Sequence, residues 1–175
     1  MMAGYGLAFS SFPDPTSSSA GASGHPDGTV EVHIPNQIKH AQPVRDRILE
    51  ELQQAGYDES SRFGIQLAFD EAVTNAIIHG NRKREDATLH IAYCVTPEAV
   101  YLFIADEGEG FNPDAVEDPT LDKNIDRPTG RGLFLMRAYM TSIEYNRKGS
   151  AVRMIHCRNP EQGPPPEWVV NSNSS

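Results

Sequence analysis

Residues 88–105 hold two apolar, strand-forming runs, "TLHIAYCV" and "AVYLFIA", separated only by "TPE". Three residues cannot carry a parallel crossover, which takes a dozen or more, so these runs must pair as an antiparallel hairpin. A second pair, "SIEYN" and "AVRMIHC", flanks "RKGS" and reads as another hairpin. "TVEVHIP" (29–35) alternates, with Val30, Val32 and Ile34 on one face, and predicts a further strand. Helical periodicity covers 37–55, closed by Gly56, and 58–79, where "DESS" can cap the start and Gly80 can stop the end. Pro43 inside the first helix predicts a late start or a kink. "GLFLMRAYM" (132–140) is a short amphipathic helix. The order is strand, helix, helix, strand, strand, loop, helix, strand, strand. It predicts an α/β two-layer sandwich, in which a mixed, mainly antiparallel sheet is covered on one face by helices.

The chain of 175 residues suits one core with tails. Residues 1–28 include a Ser/Gly/Pro/Ala-rich stretch with few large apolar side chains and predict a disordered tail. Residues 29–160 form the expected folded domain, and 161–175, with "PPP", a flexible C-terminal tail. A formal net charge of −9 argues against a general binder of nucleic acid or of anionic membrane, although a local pocket can oppose that sign. Cys94 and Cys157 fall in predicted strands without metal-type spacing, which suits buried, reduced thiols. No Lys or Arg precedes Lys39 and no apolar run approaches spanning length, so the expected location is cytoplasmic.

The helix over 58–79 carries a polar row. Glu71, Asn75 and His79 recur every four residues, about 40° apart on the helical wheel. Ile65, Phe69, Ala72, Val73, Ala76 and Ile77 fill the opposite half, while Leu67, Ala68 and Ile78 border Glu71 and Asn75. Two readings stay open from the helix alone: a stripe facing a cavity, or a solvated face shared with Asp70 and Thr74. His79, in the last turn, is explained by the helix dipole.

Three glycine-bearing segments follow. "ADEGEGF" (105–111) sets Asp-x-Gly-x-Gly directly after a strand, where a carboxylate can accept from an exocyclic amine and glycines admit a flat ring. "TGRGLFLM" (129–136) sets two glycines before a helix, whose N–H groups favour phosphate. "KGSAVRM" (148–154) alone is a hairpin turn. Singly each is weak; in this order, after an E-x-x-x-N helix, they resemble the GHKL (Bergerat-type) ATPase superfamily. "DEAVTNAIIHGN" and "TGRGLFLMRAYM" are most similar to the anti-sigma factor serine-protein kinases of partner-switching systems. The resemblance spans roughly residues 29 to 160.

The resemblance implies ATP and Mg²⁺ as cofactors. It makes Asn75 the metal ligand and Glu71 the general base. It places Asp106 on the adenine amine, with Gly108 and Gly110 shaping the pocket, and Gly130, Arg131, Gly132 and Leu133 along the phosphates. Residues 112–129 match the family's ATP lid, where Arg127 is either a phosphate contact or a solvated loop arginine. The family commonly has Gly-Thr in the last hairpin; Gly149-Ser150 keeps the hydroxyl for adenine but fixes it less. The implied function is a serine kinase that phosphorylates a small antagonist protein and in another state sequesters a sigma factor. The alternative is a nucleotide-gated regulator that transfers little or no phosphate. Related proteins commonly pair, so a homodimer is also an expectation, with no direct nucleic-acid or membrane partner.

Overall fold

A computed structural model describes residues 8–9, 25–110, 131–165 and 168. The chain forms strand β1 (Ala8–Phe9), β2 (Val30–Pro35), helix α1 (Ile38–Gln54), α2 (Glu59–Asn75), β3 (Thr88–Val95), β4 (Ala99–Asp106), α3 (Arg131–Tyr139), β5 (Ser142–Tyr145) and β6 (Ala151–Cys157). The sheet order is β1-β5-β6-β4-β3-β2. Every pairing is antiparallel except that of β1, which runs parallel to β5 with Ala8 opposite Glu144. The sheet is thus mixed and mainly antiparallel, with helices packed on it, as the order of elements predicts.

The hairpin of β3 and β4 turns through residues 96–98 and pairs Val95 with Val100. Its turn is tied by Thr96, whose N–H donates to the Ala99 carbonyl and whose Oγ accepts from the Ala99 N–H. Helix α1 begins at Ile38, so Pro43 lies inside it and a late start is not what the chain adopts. The proline has no N–H for the Lys39 carbonyl, and Lys39 is exposed, so water can satisfy that group. Helix α2 is capped by Asp58, whose carboxylate accepts the Ser61 N–H at 2.7 Å.

The end of α2 departs from the expected α-helix. Residues Ala76–Gly80 wind as one wider π-turn, with the Asn81 N–H on the Ala76 carbonyl at 2.7 Å. The wider turn leaves His79 exposed and carries Gly80 inward against β4. Such bulges recur at functional sites.

The main core lies between helices and sheet. Ile65, Phe69, Ala72 and Val73 of α2 meet Leu89, Ile91, Leu102, Ile104 and Met154, all buried. At roughly 25 cal/mol per Å² of apolar surface removed from water, this layer holds α2 in register over the strands. The face of the sheet away from the helices is also apolar: Tyr101, Phe103, Ile155, Cys94 and Cys157 are buried there, with Trp168 packed edge-on to Tyr101. Both cysteines are free, and burial pushes both thiols up. Among the described residues no helix is long and apolar enough to cross a membrane.

Candidate functional site

A cleft opens between α2 and the strands β4, β5 and β6. Its walls include Asn75 and Ala76 from α2, Asp106 from β4, Tyr145 from β5, and Gly149 and Ser150 from the last hairpin. The two strand-ending motifs and the polar helix row, remote in sequence, therefore converge on one space.

Asp106 closes one end. Its carboxylate accepts the Gly108 N–H at 2.8 Å, and its own N–H donates to the Ser150 carbonyl at 2.9 Å. Burial pushes the carboxyl up to about 6, against the opposing pull of the Gly108 N–H. Close approach makes glycine obligatory here. A Cβ at Gly80 would fall 2.2 Å from the Asp106 carboxylate, and one at Gly108 would fall 2.0 Å from the Gly80 carbonyl oxygen. Gly110 takes φ of +80° and lies against the Lys148 carbonyl, so the D-x-G-x-G segment sits directly on the K-G-S turn.

Two buried asparagines hold this end, and the sequence reading gave neither a role. The Asn81 amide donates to Asn36 Oδ1 at 3.1 Å and to the Thr88 carbonyl at 2.9 Å, while its oxygen accepts the Glu107 N–H at 2.9 Å. It thereby ties the end of α2 to β2, β3 and the segment carrying Asp106. Asn146 does the same within the last hairpin. Its oxygen accepts the N–H groups of Ser150 and Ala151 at 2.9 and 3.2 Å, and its amide donates to the Ser150 hydroxyl at 3.2 Å. Asparagines at turns near glycines read as exposed turn residues; only their burial, at 1% and 4% exposure, marks them as fasteners.

Glu71 and Asn75 occupy the other end. The Asn75 amide donates to Glu71 Oε1 at 3.2 Å, and both side chains are half-buried. Helix α3 runs antiparallel to α2 and close to it. A Cβ at Gly132 would land 1.7 Å from Glu71 Oε1, and one at Gly64 would strike the Tyr139 ring. Glycines at both ends of the helix pair thus set its spacing and put the start of α3 against the Glu71 carboxylate. Tyr145 lies beneath; burial, then the charge of Glu71, pushes its phenol up to about 12. Tyr145 was also missed by sequence, because a strand-end tyrosine reads as core.

Of the sequence-predicted set, the structure gathers Glu71, Asn75, Asp106, Gly108, Gly110, Gly132 and Ser150 around this cleft. The backbones of Arg131 and Leu133 form the first turn of α3. Gly130, Arg127 and the loop 112–129 lie outside the described residues.

The donor set suits a nucleotide with its cation. With the Asn75 amide nitrogen given to Glu71, Oδ1 remains as a hard oxygen ligand of the type Mg²⁺ takes. A carboxylate framed by glycines that a Cβ would crowd suits a flat base with an exocyclic amine.

Comparison with known proteins agrees with this geometry. The family described as histidine kinase-like ATPase domain matches residues 34–156. The chain is 35% identical over 89 residues to the serine/threonine-protein kinase BtrW of Bordetella bronchiseptica, spanning 50% of this chain and 63% of that protein. It is 24% identical over 132 residues to the serine-protein kinase RsbW of Oceanobacillus iheyensis, spanning 72% and 84%. It is 31% identical over 96 residues to the anti-sigma F factor of Clostridium beijerinckii, spanning 52% and 66%. With the match covering both helices of the cleft and all the strands from β3 onward, the chain belongs to the histidine kinase-like ATPase domain family, among relatives that are serine-protein kinases and anti-sigma factors.

Proposed function

We propose that the chain binds Mg²⁺–ATP in the cleft and transfers the γ-phosphoryl group to a serine hydroxyl of a small antagonist protein, and that in another state it holds a sigma factor. The kinase assignment rests on the family and on relatives named as serine-protein kinases. The observation that carries the finer reading is the position of Glu71. Its carboxylate faces the start of α3, one helical turn from Asn75, in the cleft that Asp106 closes at the other end.

Each residue then has a physical task. Asp106 accepts a hydrogen bond from the adenine amine, with the Ser150 hydroxyl, steadied by Asn146, beside it. N–H groups in the first turn of α3, the turn of Arg131, Gly132 and Leu133, are oriented for phosphate, and the helix dipole favours anions there. Asn75 offers Oδ1 to the cation, which when bound neutralises phosphate charge. Glu71 accepts the proton of the incoming serine hydroxyl as the new O–P bond forms and the γ-phosphorus parts from the bridging oxygen, leaving ADP. The half-buried setting of that carboxylate, between the Asn75 amide and the start of α3, supports this reading.

The test is incubation of the purified chain with labelled ATP and an antagonist-type protein taken from the neighbouring genes. Label on a serine of that protein, lost in Glu71→Ala while ATP binding persists, is the expected result. Partner binding with no label in the unaltered chain would instead establish a nucleotide-gated regulator. Label undiminished in Glu71→Ala would remove Glu71 as the base.

A further inference from the structure

Three side chains of metal-ligating type meet on the sheet face turned away from the nucleotide cleft. Among the described residues they are the one group of three such side chains whose ligand atoms, from His25, Glu31 and His90, all lie within 4.8 Å of one another. The arrangement follows from strand register. Glu31 and His33 point outward from β2, since Val30, Val32 and Ile34 point to the core. His33 stands directly opposite His90 of β3 and stacks on it at 4.4 Å. Glu31, opposite Ala92, is the diagonal neighbour of His90, and its carboxylate lies 3.0 Å from His90 Nε2.

The third group arrives by a reversal of the chain. A turn across Pro26–Thr29, with the Thr29 N–H on the Pro26 carbonyl at 3.2 Å and Gly28 at φ +80°, folds His25 back over the sheet. There its ring meets Phe103 edge-on at 4.8 Å, and Nδ1 lies 2.6 Å from the Tyr101 hydroxyl. A metal-binding histidine is usually oriented by such a bond on its other ring nitrogen. With Nδ1–H donating to the phenol oxygen, Nε2 carries the lone pair for a metal. Phe103 also packs edge-on to His90 at 5.4 Å, so the two imidazoles share an apolar bed. Arg153 also faces the group, but its guanidinium is paired with Glu144.

From this geometry we propose that His25, Glu31 and His90 form a binding site for a zinc-type divalent ion, which fastens the segment before β2 to the outer face of the sheet. Two imidazoles and one carboxylate are the ligand types such an ion takes, with a water in the fourth place. Ligand atoms around zinc stand roughly 3.3 Å apart, so the group closes by side-chain movements of about 1 Å. The site is distinct from Asn75, whose amide oxygen suits a harder ion.

The test uses the full chain, stripped of metal and without nucleotide, titrated with Zn²⁺ in a calorimeter, with Co²⁺ as the optical probe of geometry. The expected result is one Zn²⁺ per chain, a melting temperature that rises with Zn²⁺ concentration, and intense visible bands with Co²⁺. His25→Ala and Glu31→Gln should each weaken uptake by more than about 10-fold, and Tyr101→Phe by roughly 10-fold through the loosened His25 ring. His79→Ala, at an exposed site, and Asn75→Ala should bind Zn²⁺ like the unaltered chain. Circular dichroism establishes that each variant is folded; Glu31, at the surface, is the variant least able to disturb folding. No uptake by the unaltered chain, or equal uptake by His25→Ala and Glu31→Gln, overturns the proposal and leaves only adventitious binding by surface histidines.

Discussion

At its Asp106 end, the end proposed for adenine, the cleft is held by Asn81 and Asn146, buried side chains that bind backbone groups of neighbouring segments. At the other end, proposed for the phosphates, Glu71 and Asn75 hydrogen-bond each other at 3.2 Å and are only partly buried. Asp106, by contrast, receives an N–H at 2.8 Å and is 9% exposed. The Asp106 end is therefore tied down by its own hydrogen bonds, which suits the proposed recognition of a base. At the end proposed for chemistry, Glu71 and Asn75 are tied to each other by one hydrogen bond at 3.2 Å, a bond that the proposed phosphate, cation and hydroxyl would have to share. On the proposed function, preorganisation falls where the ligand would be flat and neutral, and adjustable side chains fall where charge would move.

That contrast can be broken or sharpened by substitution, and the largest effect belongs to the chemical end. Glu71→Ala should lower phosphoryl transfer by about 10²- to 10⁴-fold while ATP affinity shifts by no more than a few-fold. Single-turnover transfer beside equilibrium ATP binding measures both; a parallel fall in affinity would mean that Glu71 is structural. Asn75→Ala should next abolish Mg²⁺-dependent ATP binding and leave the melting curve within about 0.5 kcal/mol of the unaltered chain, as suits a half-exposed side chain. Calorimetry with and without Mg²⁺ decides it.

Asn81→Ala reverses that profile. It leaves the buried Asn36 side-chain oxygen without its donor and frees the part-buried Glu107 N–H and Thr88 carbonyl, so urea unfolding should show a loss of about 2 kcal/mol. If Asn81→Ala and Asn75→Ala were equally mild, the two ends would not differ in the way described. The smallest effect concerns Asp106. Its folded-state pKa, pushed up to about 6, lies above the ordinary carboxylate value, so the folded protein holds that proton more tightly than the unfolded chain. This group's contribution to stability is complete at low pH and is lost as pH rises through about 6. Asp106→Asn should remove that dependence and gain roughly 2 kcal/mol at pH 8, with almost none of the gain at about pH 3. The same variant should narrow the preference for ATP over GTP; a preference unchanged would separate the carboxylate from base recognition.

The elements of the fold were largely legible from the chain because their signals are local. Period-two alternation in 29–35 and a three-residue link between two apolar runs leave little freedom in pairing. The row Glu71 and Asn75 was also legible, since spacing on a helix is fixed by its pitch. What faced that row was not. Whether a polar stripe meets water or a cleft depends on α3, more than fifty residues later, and on two glycines that bring it close. The π-turn at Ala76–Gly80 was hidden for a similar reason: it serves the approach of Gly80 to Asp106, a contact between distant residues. The apolar outer face of β4 was unexpected too, because a run such as "AVYLFIA" does not say what covers its second side.

Taken alone, the sequence determined the secondary elements, their antiparallel pairing and the identity of the polar and glycine residues, all properties of short segments whose backbone geometry is regular. The tertiary structure alone decided that Asn81 and Asn146 are fasteners, that Glu71 meets the start of α3, and that His25 folds back to Glu31 and His90. Burial and hydrogen-bond partnership are relations between segments, set by how the layers pack, and no local pattern encodes which distant group will fill a given side of a residue.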